Sequence, residues 1–288
     1  MNWIFFASMM FITSIINYLL VRKSSLLKIP NRLVNLAMFG IPLVVYIIIA
    51  IVKGTTLMIE WWHLPLLFII AIVFAYLGNK SSLRAIDLAP NPGYSLVLSK
   101  SYVLFTTLVA VVFMGGGEEF TWQKALAILL IVGFSVPIMV TRKGEKKSKH
   151  RTWILLSLAA FFAWGMLSLS SKWLFMHGMD TITFLIYMYT IVTVCIIAID
   201  RVKISQIKQT SAKGLWILLS IGIVWAMFNL GQFEAINLAP NVGYVNAINA
   251  ASIAAVTVFA VILFKDNLTW PKGIGVLGVT AGLILLLI

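Results

Sequence analysis

Residues 85–94 read AIDLAPNPGY and residues 235–244 read AINLAPNVGY, the same phrase with eight identities in ten positions, written twice at an offset of 150 in a chain of 288. A match of this quality at a single offset marks an internal duplication. The register carries outward on both sides. It aligns Trp3 with Trp153, Asn79 with Asn229 and Arg84 with Glu234, and after a two-residue gap it aligns Thr121-Trp122 with Thr269-Trp270. The chain therefore divides into a first repeat over residues 1–141, a basic hinge over 142–151 and a second repeat over 152–288.

Composition fixes the medium in which these repeats fold. Hydrophobic residues make up 61% of the chain, charged residues 11%, and the mean hydropathy is +1.01. A soluble domain carries about 25% charged residues. So much apolar surface is hidden only in a bilayer, which makes this a polytopic membrane protein. The net charge of +13 lies in short loops between apolar runs, a pattern of membrane topology rather than of nucleic-acid binding. Cys195 stands alone and forms no internal disulfide. His63, His150 and His177 sit near the ends of apolar runs without metal-ligand spacing, and acids are too sparse for a catalytic constellation. Neither a metal, a cofactor nor an enzymatic activity is expected. No G-x-x-x-x-G-K-[ST] sequence for ATP occurs.

A helical span needs about 20 apolar residues. That ruler predicts ten spans: 2–21, 33–52, 61–78 with an extension toward 85, 92–114, 120–140, 153–173, 181–199, 215–235, 240–264 and 270–288. The first is a retained span, because it has no basic leader and no small-residue cleavage site, and Arg22 and Lys23 follow it at once. Of the 22 Lys and Arg residues, 18 fall in the connections after spans 1, 3, 5, 7 and 9 or, as Lys272, within three residues of one. The positive-inside bias puts those loops, 142–151 included, in the cytoplasm of a cell-membrane protein and both termini outside. Five spans per repeat is an odd number, so the second repeat enters the membrane in the opposite sense. The expected fold is all-α, with ten transmembrane helices as two inverted five-helix repeats around a central cavity.

Charges and polar stripes inside the spans are the candidates for function. Lys100 stands nine residues into the fourth span, about 14 Å along the helix and near mid-depth. It reads either as a cation for a substrate carboxylate or phosphate, or as a lysine that snorkels or pairs with an acid. Lys80 and Arg84 close the third span and Glu234 the eighth; as gating or coupling residues they would latch the bundle, or in the case of Glu234 carry a proton, and as plain span-end charges they would be solvated. Polar residues at helical spacing mark four faces: Asn91, Ser95 and Ser99; Ser157, Trp164, Ser168 and Lys172; Trp225, Asn229 and Gln232; Asn246, Asn249 and Ser252. Such faces either line a watered cavity or bond helix to helix. Most tryptophans lie at span ends as an interfacial belt, whereas Trp164 and Trp225 lie deeper. Pro90 and Pro240, each followed by Asn, suit turns that open the next helix, and Glu118, Glu119 and Asp266 suit helix N-termini.

Three pieces together resemble the drug/metabolite transporter superfamily, specifically its EamA-type members with two five-span repeats. They are the joints Leu88–Tyr94 and Leu238–Tyr244; Gly117-Glu118-Glu119-Phe120-Thr121 with its echo Lys265-Asp266-Asn267-Leu268-Thr269; and Trp164-Gly165 followed by Lys172. The first repeat departs with Ser14-Ile15 in place of Trp164-Gly165, although Arg22 matches Lys172. The resemblance implies a cavity lined by the first, third and fourth helices of each repeat, and transport outward. Many members of the family place both termini in the cytoplasm, whereas the charge distribution here places them outside.

The expectation is a secondary active transporter, an exporter working by alternating access on a small organic metabolite with a carboxylate, such as an amino acid. Its substrate-binding candidates are Lys100, Trp164, Trp225, Asn229, Gln232, Asn246, Asn249, Ser95, Ser99 and Lys172, and its gating or coupling candidates are Glu234, Arg84 and Lys80. The alternatives are a transporter of amphipathic drugs or lipid-linked sugars, and a non-transporting membrane partner subunit with a dry, filled centre. Its expected partners are the small-molecule substrate, the lipid bilayer and a coupling proton, with monomer or homodimer left open.

Overall fold

The apolar runs fold as helices because a chain in a bilayer has to satisfy every backbone N–H and C=O internally. The computed structural model describes residues 2–90, 92–114, 121–139, 147–202, 206–207, 209–265 and 269–285. Among these the regular structure is wholly helical. The first repeat contributes α1 (Trp3–Leu26), α2 (Asn31–Lys53), α3 (His63–Leu88), α4 (Pro92–Lys100), α5 (Val103–Phe113) and α6 (Trp122–Met139). The second contributes α7 (Lys147–Met176), α8 (Thr181–Ile199), α9 (Ala212–Leu238), α10 (Val242–Phe264) and α11 (Trp270–Leu285). Among the described residues, seven stretches are long and apolar enough to cross a membrane: α1, α2, α3, the α4–α5 pair, α7, α8 and α9. The described apolar segments of α6 and α11 are Ala125–Phe134 and Gly273–Gly282. The protein is a polytopic membrane protein built of helices. Most of the hinge and the acids Glu118, Glu119 and Asp266 lie outside the described residues, while residues 147–151 open α7.

The duplication is visible in local geometry. The α1–α2 turn closes with Ile29 N–H donating to Ser24 O at 3.0 Å, and the α7–α8 turn closes with Met179 N–H donating to Leu174 O at 3.1 Å. Each turn then needs a left-handed residue, supplied by Lys28 (φ 56°) in the first repeat and Gly178 (φ 86°) in the second. Ahead of each repeated Pro, Ala89 (φ −72°, ψ 146°) and Ala239 (φ −71°, ψ 144°) are extended, as a residue before proline prefers. Asn241 then caps α10, its Oδ1 accepting the Gly243 N–H at 2.7 Å. The equivalent Asn91 lies outside the described residues.

The two repeats interlock rather than stand side by side. α1 packs on α9 and α10, and its mate α7 packs on α3 and on α4. α2 lies against α8, and α6 against α11. α1 and α9 come together at Gly231, where a Cβ would stand 2.8 Å from Phe6 O, so only glycine permits that approach. The outward faces carry large apolar side chains, among them Val44, Ile51, Val112, Phe113 and Ile262, all more than half exposed, as a lipid-facing surface requires. Trp61, Trp122, Trp216 and Trp270 are exposed near helix ends, in keeping with an interfacial belt; Trp153 departs from it and is buried.

Two irregularities break the symmetry. The middle of α3, Ile70–Leu77, is wound as a π-helix, whereas its mate α9 is α-helical throughout. The fourth span is interrupted at Ser101 and Tyr102, between α4 and α5, whereas α10 runs unbroken. The interruption sits directly after Lys100.

Candidate substrate site

α4 delivers Lys100 to the interior of the bundle, and it is 1% exposed. Its ammonium donates to Asn249 Oδ1 at 2.6 Å, Ser14 Oγ at 3.0 Å, Asn249 O at 3.2 Å and Ser252 Oγ at 3.3 Å. The face of the Tyr18 ring lies 4.8 Å from it. Ser14 and Tyr18 come from α1, four residues apart and so on one face, and Asn249 and Ser252 come from α10. The lysine thus joins the two repeats through neutral groups only. It neither snorkels to the surface nor meets an acid among the described residues. Position also favours the cation: Lys100 ends α4, and the carbonyl end of a helix carries partial negative charge.

Around this point is a small cavity of about 30 Å³, lined by Tyr18, Lys100, Tyr102, Trp164, Leu167, Trp225, Phe228, Asn229, Gln232 and Asn249. Such a volume holds about two waters. The chamber is polar at Lys100, Asn229, Gln232 and Asn249 and is otherwise aromatic apart from Leu167, with Trp225 and Phe228 stacked at 4.8 Å. It draws on α1, α4, α7, α9 and α10 and on the turn at Tyr102, and so is shared between the repeats. A second polar layer lies beside it. Asn246 Oδ1 accepts from Tyr102 Oη and Ser168 Oγ, both at 3.3 Å, and Asn246 Nδ2 donates to Thr106 Oγ1 at 3.2 Å. Among the described residues no three His, Cys, Asp or Glu side chains gather as metal ligands.

The comparisons with known proteins bear on the same architecture. Residues 151–288 match the EamA-like transporter family, and the first half repeats the signature of the second. The second repeat belongs to the EamA-like transporter family. A solved structure, described simply as the crystal structure of a protein, is 16% identical, spans 97% of this chain and 95% of its own length, and superimposes with a TM-score of 0.69. At that identity the likeness speaks for the fold alone. No curated protein matches the sequence. The EamA-like match of the second repeat supports a membrane transporter of small molecules.

Of the ten substrate-binding candidates named from sequence, six line the chamber: Lys100, Trp164, Trp225, Asn229, Gln232 and Asn249. The others are placed elsewhere. Asn246 forms the adjoining layer. Ser95 bonds Ser157 at 2.9 Å and joins α4 to α7, and Ser99 bonds back to Leu96 O at 3.3 Å. Lys172 donates to the carbonyls of Ile236, Asn237 and Ala239 at 3.0, 3.1 and 2.8 Å, closing the C-terminus of α9. Third-helix residues of the first repeat are absent from the lining, so five of the six helices implied by the resemblance contribute to it.

Of the gating candidates, Lys80 and Arg84 share a pocket and Glu234 stands apart. Arg84 lies in a pocket with Asp200, beyond the C-terminus of α8, while Glu234 lies beside Asp180 and Thr181 at the N-terminus of α8. The 19 residues of that helix separate them by about 28 Å. Their opposite placement follows from the inversion of the repeats. Lys80 pairs with Asp200 at 2.5 Å, and Tyr76 Oη donates to the same carboxylate at 2.9 Å, tying α3 to the end of α8.

Tyr18, Tyr102, Leu167 and Phe228 escaped the sequence reading. Tyr18 had two usable signals, its spacing of four from Ser14 and its alignment with Ser168.

Proposed function

We propose that the protein is a secondary transporter that carries a small, carboxylate-bearing metabolite by alternating access, with Lys100 meeting the carboxylate. The observation that carries this reading is the Lys100 ammonium, buried between the repeats and held only by neutral oxygens. A buried charge without a counter-charge is expensive, and inside a membrane it marks a ligand or ion pathway. A carboxylate supplies the missing charge at the atom that lacks it. The side-chain amides of Asn229 and Gln232 offer both donors and acceptors, which suits a zwitterion such as an amino acid, and Trp164, Trp225 and Phe228 offer apolar walls. Lys100 also opposes a cationic amphipathic cargo.

A chamber of about 30 Å³ is too small for such a molecule, so binding requires the helices around it to part. Inverted repeats provide for that, each half rocking against the other about a site near the midplane. A small polar chamber lined by a lysine and three amides supports a transporter over a partner subunit, whose centre would be dry. Outward transport rests on the family likeness.

The test is thermal unfolding of the purified protein against anionic, zwitterionic, cationic and neutral aromatic metabolites, with Lys100→Ala and Lys100→Met beside the wild type. A ligand present at 100 times its Kd adds about 2.7 kcal/mol of stability. Carboxylates should stabilise the wild type and neither variant. Cations or neutral aromatics that stabilise all three proteins alike would sink the role of Lys100 and the carboxylate with it.

A further inference from the structure

The outer face of α3 changes character along its length. Val73 and Leu77 are 45% and 46% exposed, Lys80 is 51% exposed at its side chain, and Arg84 is exposed. These four follow one another at roughly one turn, so a single stripe runs from apolar to cationic toward the end of the helix. Its apolar part borders a groove of about 420 Å³ between α3 and α7, to which Phe162 and Met166 also contribute. Its cationic part borders a pocket of about 470 Å³, to which Arg32 of α2 and Asp200 also contribute. Ser81 lines both, so groove and pocket adjoin. The carboxylate of Asp200 is engaged by Lys80 and Tyr76. The guanidinium groups of Arg32 and Arg84 have no hydrogen-bond or ion-pair partner among the described residues. The pocket therefore keeps two uncommitted fork-shaped cations at the level where α2 begins and α3 ends, which is the edge of the bilayer.

We infer that the pocket and the adjoining groove together are a binding site for an anionic phospholipid of the leaflet on the side of the basic loops. Arg32 and Arg84 hold the headgroup phosphate, for which planar guanidinium is well shaped. An acyl chain lies in the groove along Leu77 and Val73. Basic pockets at the ends of membrane helices recognise such headgroups, and a free phosphate would leave the adjoining groove unused. The site is on the outside of the bundle and involves none of the residues around Lys100, so it stands apart from the transported substrate. Through Lys80 and Asp200 it touches the contact between the first repeat and the end of α8.

Native mass spectrometry of the delipidated, detergent-purified protein, titrated with dioleoyl phosphatidylglycerol, dioleoyl phosphatidylcholine and inorganic phosphate, tests this. Phosphatidylglycerol should bind at least about fivefold more tightly than phosphatidylcholine, and inorganic phosphate should produce no comparable adduct. The preference should fall to parity in Arg32→Gln/Arg84→Gln. It should persist in Lys23→Gln/Lys213→Gln, which loses the same charge on the same side and lines neither the pocket nor the groove. Equal binding of the two lipids to the wild type overturns the proposal, as does a preference that survives the arginine substitutions. Equal loss in the lysine control would reduce the effect to general surface charge, and phosphate binding as tightly as lipid would make the pocket a soluble-anion site; both outcomes overturn it.

Discussion

Lys100 shows how far a single residue can be read before the fold is known. It was legible because an ammonium in an apolar run has few explanations, and the structure leaves it buried with neutral acceptors. Lys172 has the same chemistry, but its depth in the bundle depends on where α9 ends, which span composition does not report. Tyr18 and Phe228 were illegible for another reason: an aromatic residue in an apolar run looks the same whether it fills the core or walls a chamber. The Lys100 cluster predicts unequal costs for its two sides. Asn249→Ala removes the 2.6 Å acceptor and leaves the ammonium poorer, and the loss of a hydrogen bond to a charged group should cost about 1.5–3 kcal/mol. Lys100→Met keeps the length of the side chain and removes the charge, and replacing a buried charge by an apolar group of similar volume is neutral or stabilising. Equilibrium unfolding of both variants in detergent checks this. A Lys100→Met protein less stable than Asn249→Ala would mean that the lysine is a structural strut.

The elements were legible to the extent that the chain repeats itself. The two Pro joints share one backbone geometry, and the two turns that follow the first helix of each repeat share one hydrogen-bond pattern, because the duplicated residues meet the same constraints. The π-helical segment of α3 and the break at Ser101 and Tyr102 were not legible, since residues 70–77 are one apolar run and residues 97–106 hold no Gly or Pro to mark a break. Comparison of the repeats also exposes a position where one copy is strained. Lys28 holds φ 56° where Gly178 holds φ 86°. A left-handed conformation costs a residue with a Cβ roughly 1–2 kcal/mol, of which glycine's greater freedom when unfolded returns a part. Lys28→Gly should therefore stabilise the protein by about 0.5–1 kcal/mol, and Gly178→Lys should destabilise it by a similar amount. Thermal melts of the pair decide the matter: if both changes destabilise, the Lys28 side chain contributes more than its backbone costs.

At the scale of the whole molecule, the interlocking of the repeats and the distribution of charge make one statement about orientation. The α1–α2 turn, the end of α3 and the end of α8 share one side of the bundle, since Asn31 Nδ2 donates to Asp87 Oδ2 at 2.6 Å and Lys80 pairs with Asp200. The α2–α3 loop and the α7–α8 turn share the other, where Thr183 Oγ1 donates to Thr56 O at 3.3 Å and Tyr187 Oη donates to Leu57 O at 3.0 Å. The first side carries the basic connections, and the positive-inside bias assigns it to the cytoplasm. Met58, 91% exposed in the α2–α3 loop, and Gln209, exposed ahead of α9, report the two sides. In a Cys195→Ser background, where no native thiol competes, a membrane-impermeant maleimide added to intact cells should label Met58→Cys and leave Gln209→Cys untouched until the membrane is opened. The reverse pattern would place the basic loops outside. The phospholipid pocket at Arg32 and Arg84 would then face the outer leaflet, and both termini would lie in the cytoplasm, because α1 begins and α11 ends on the side of Met58.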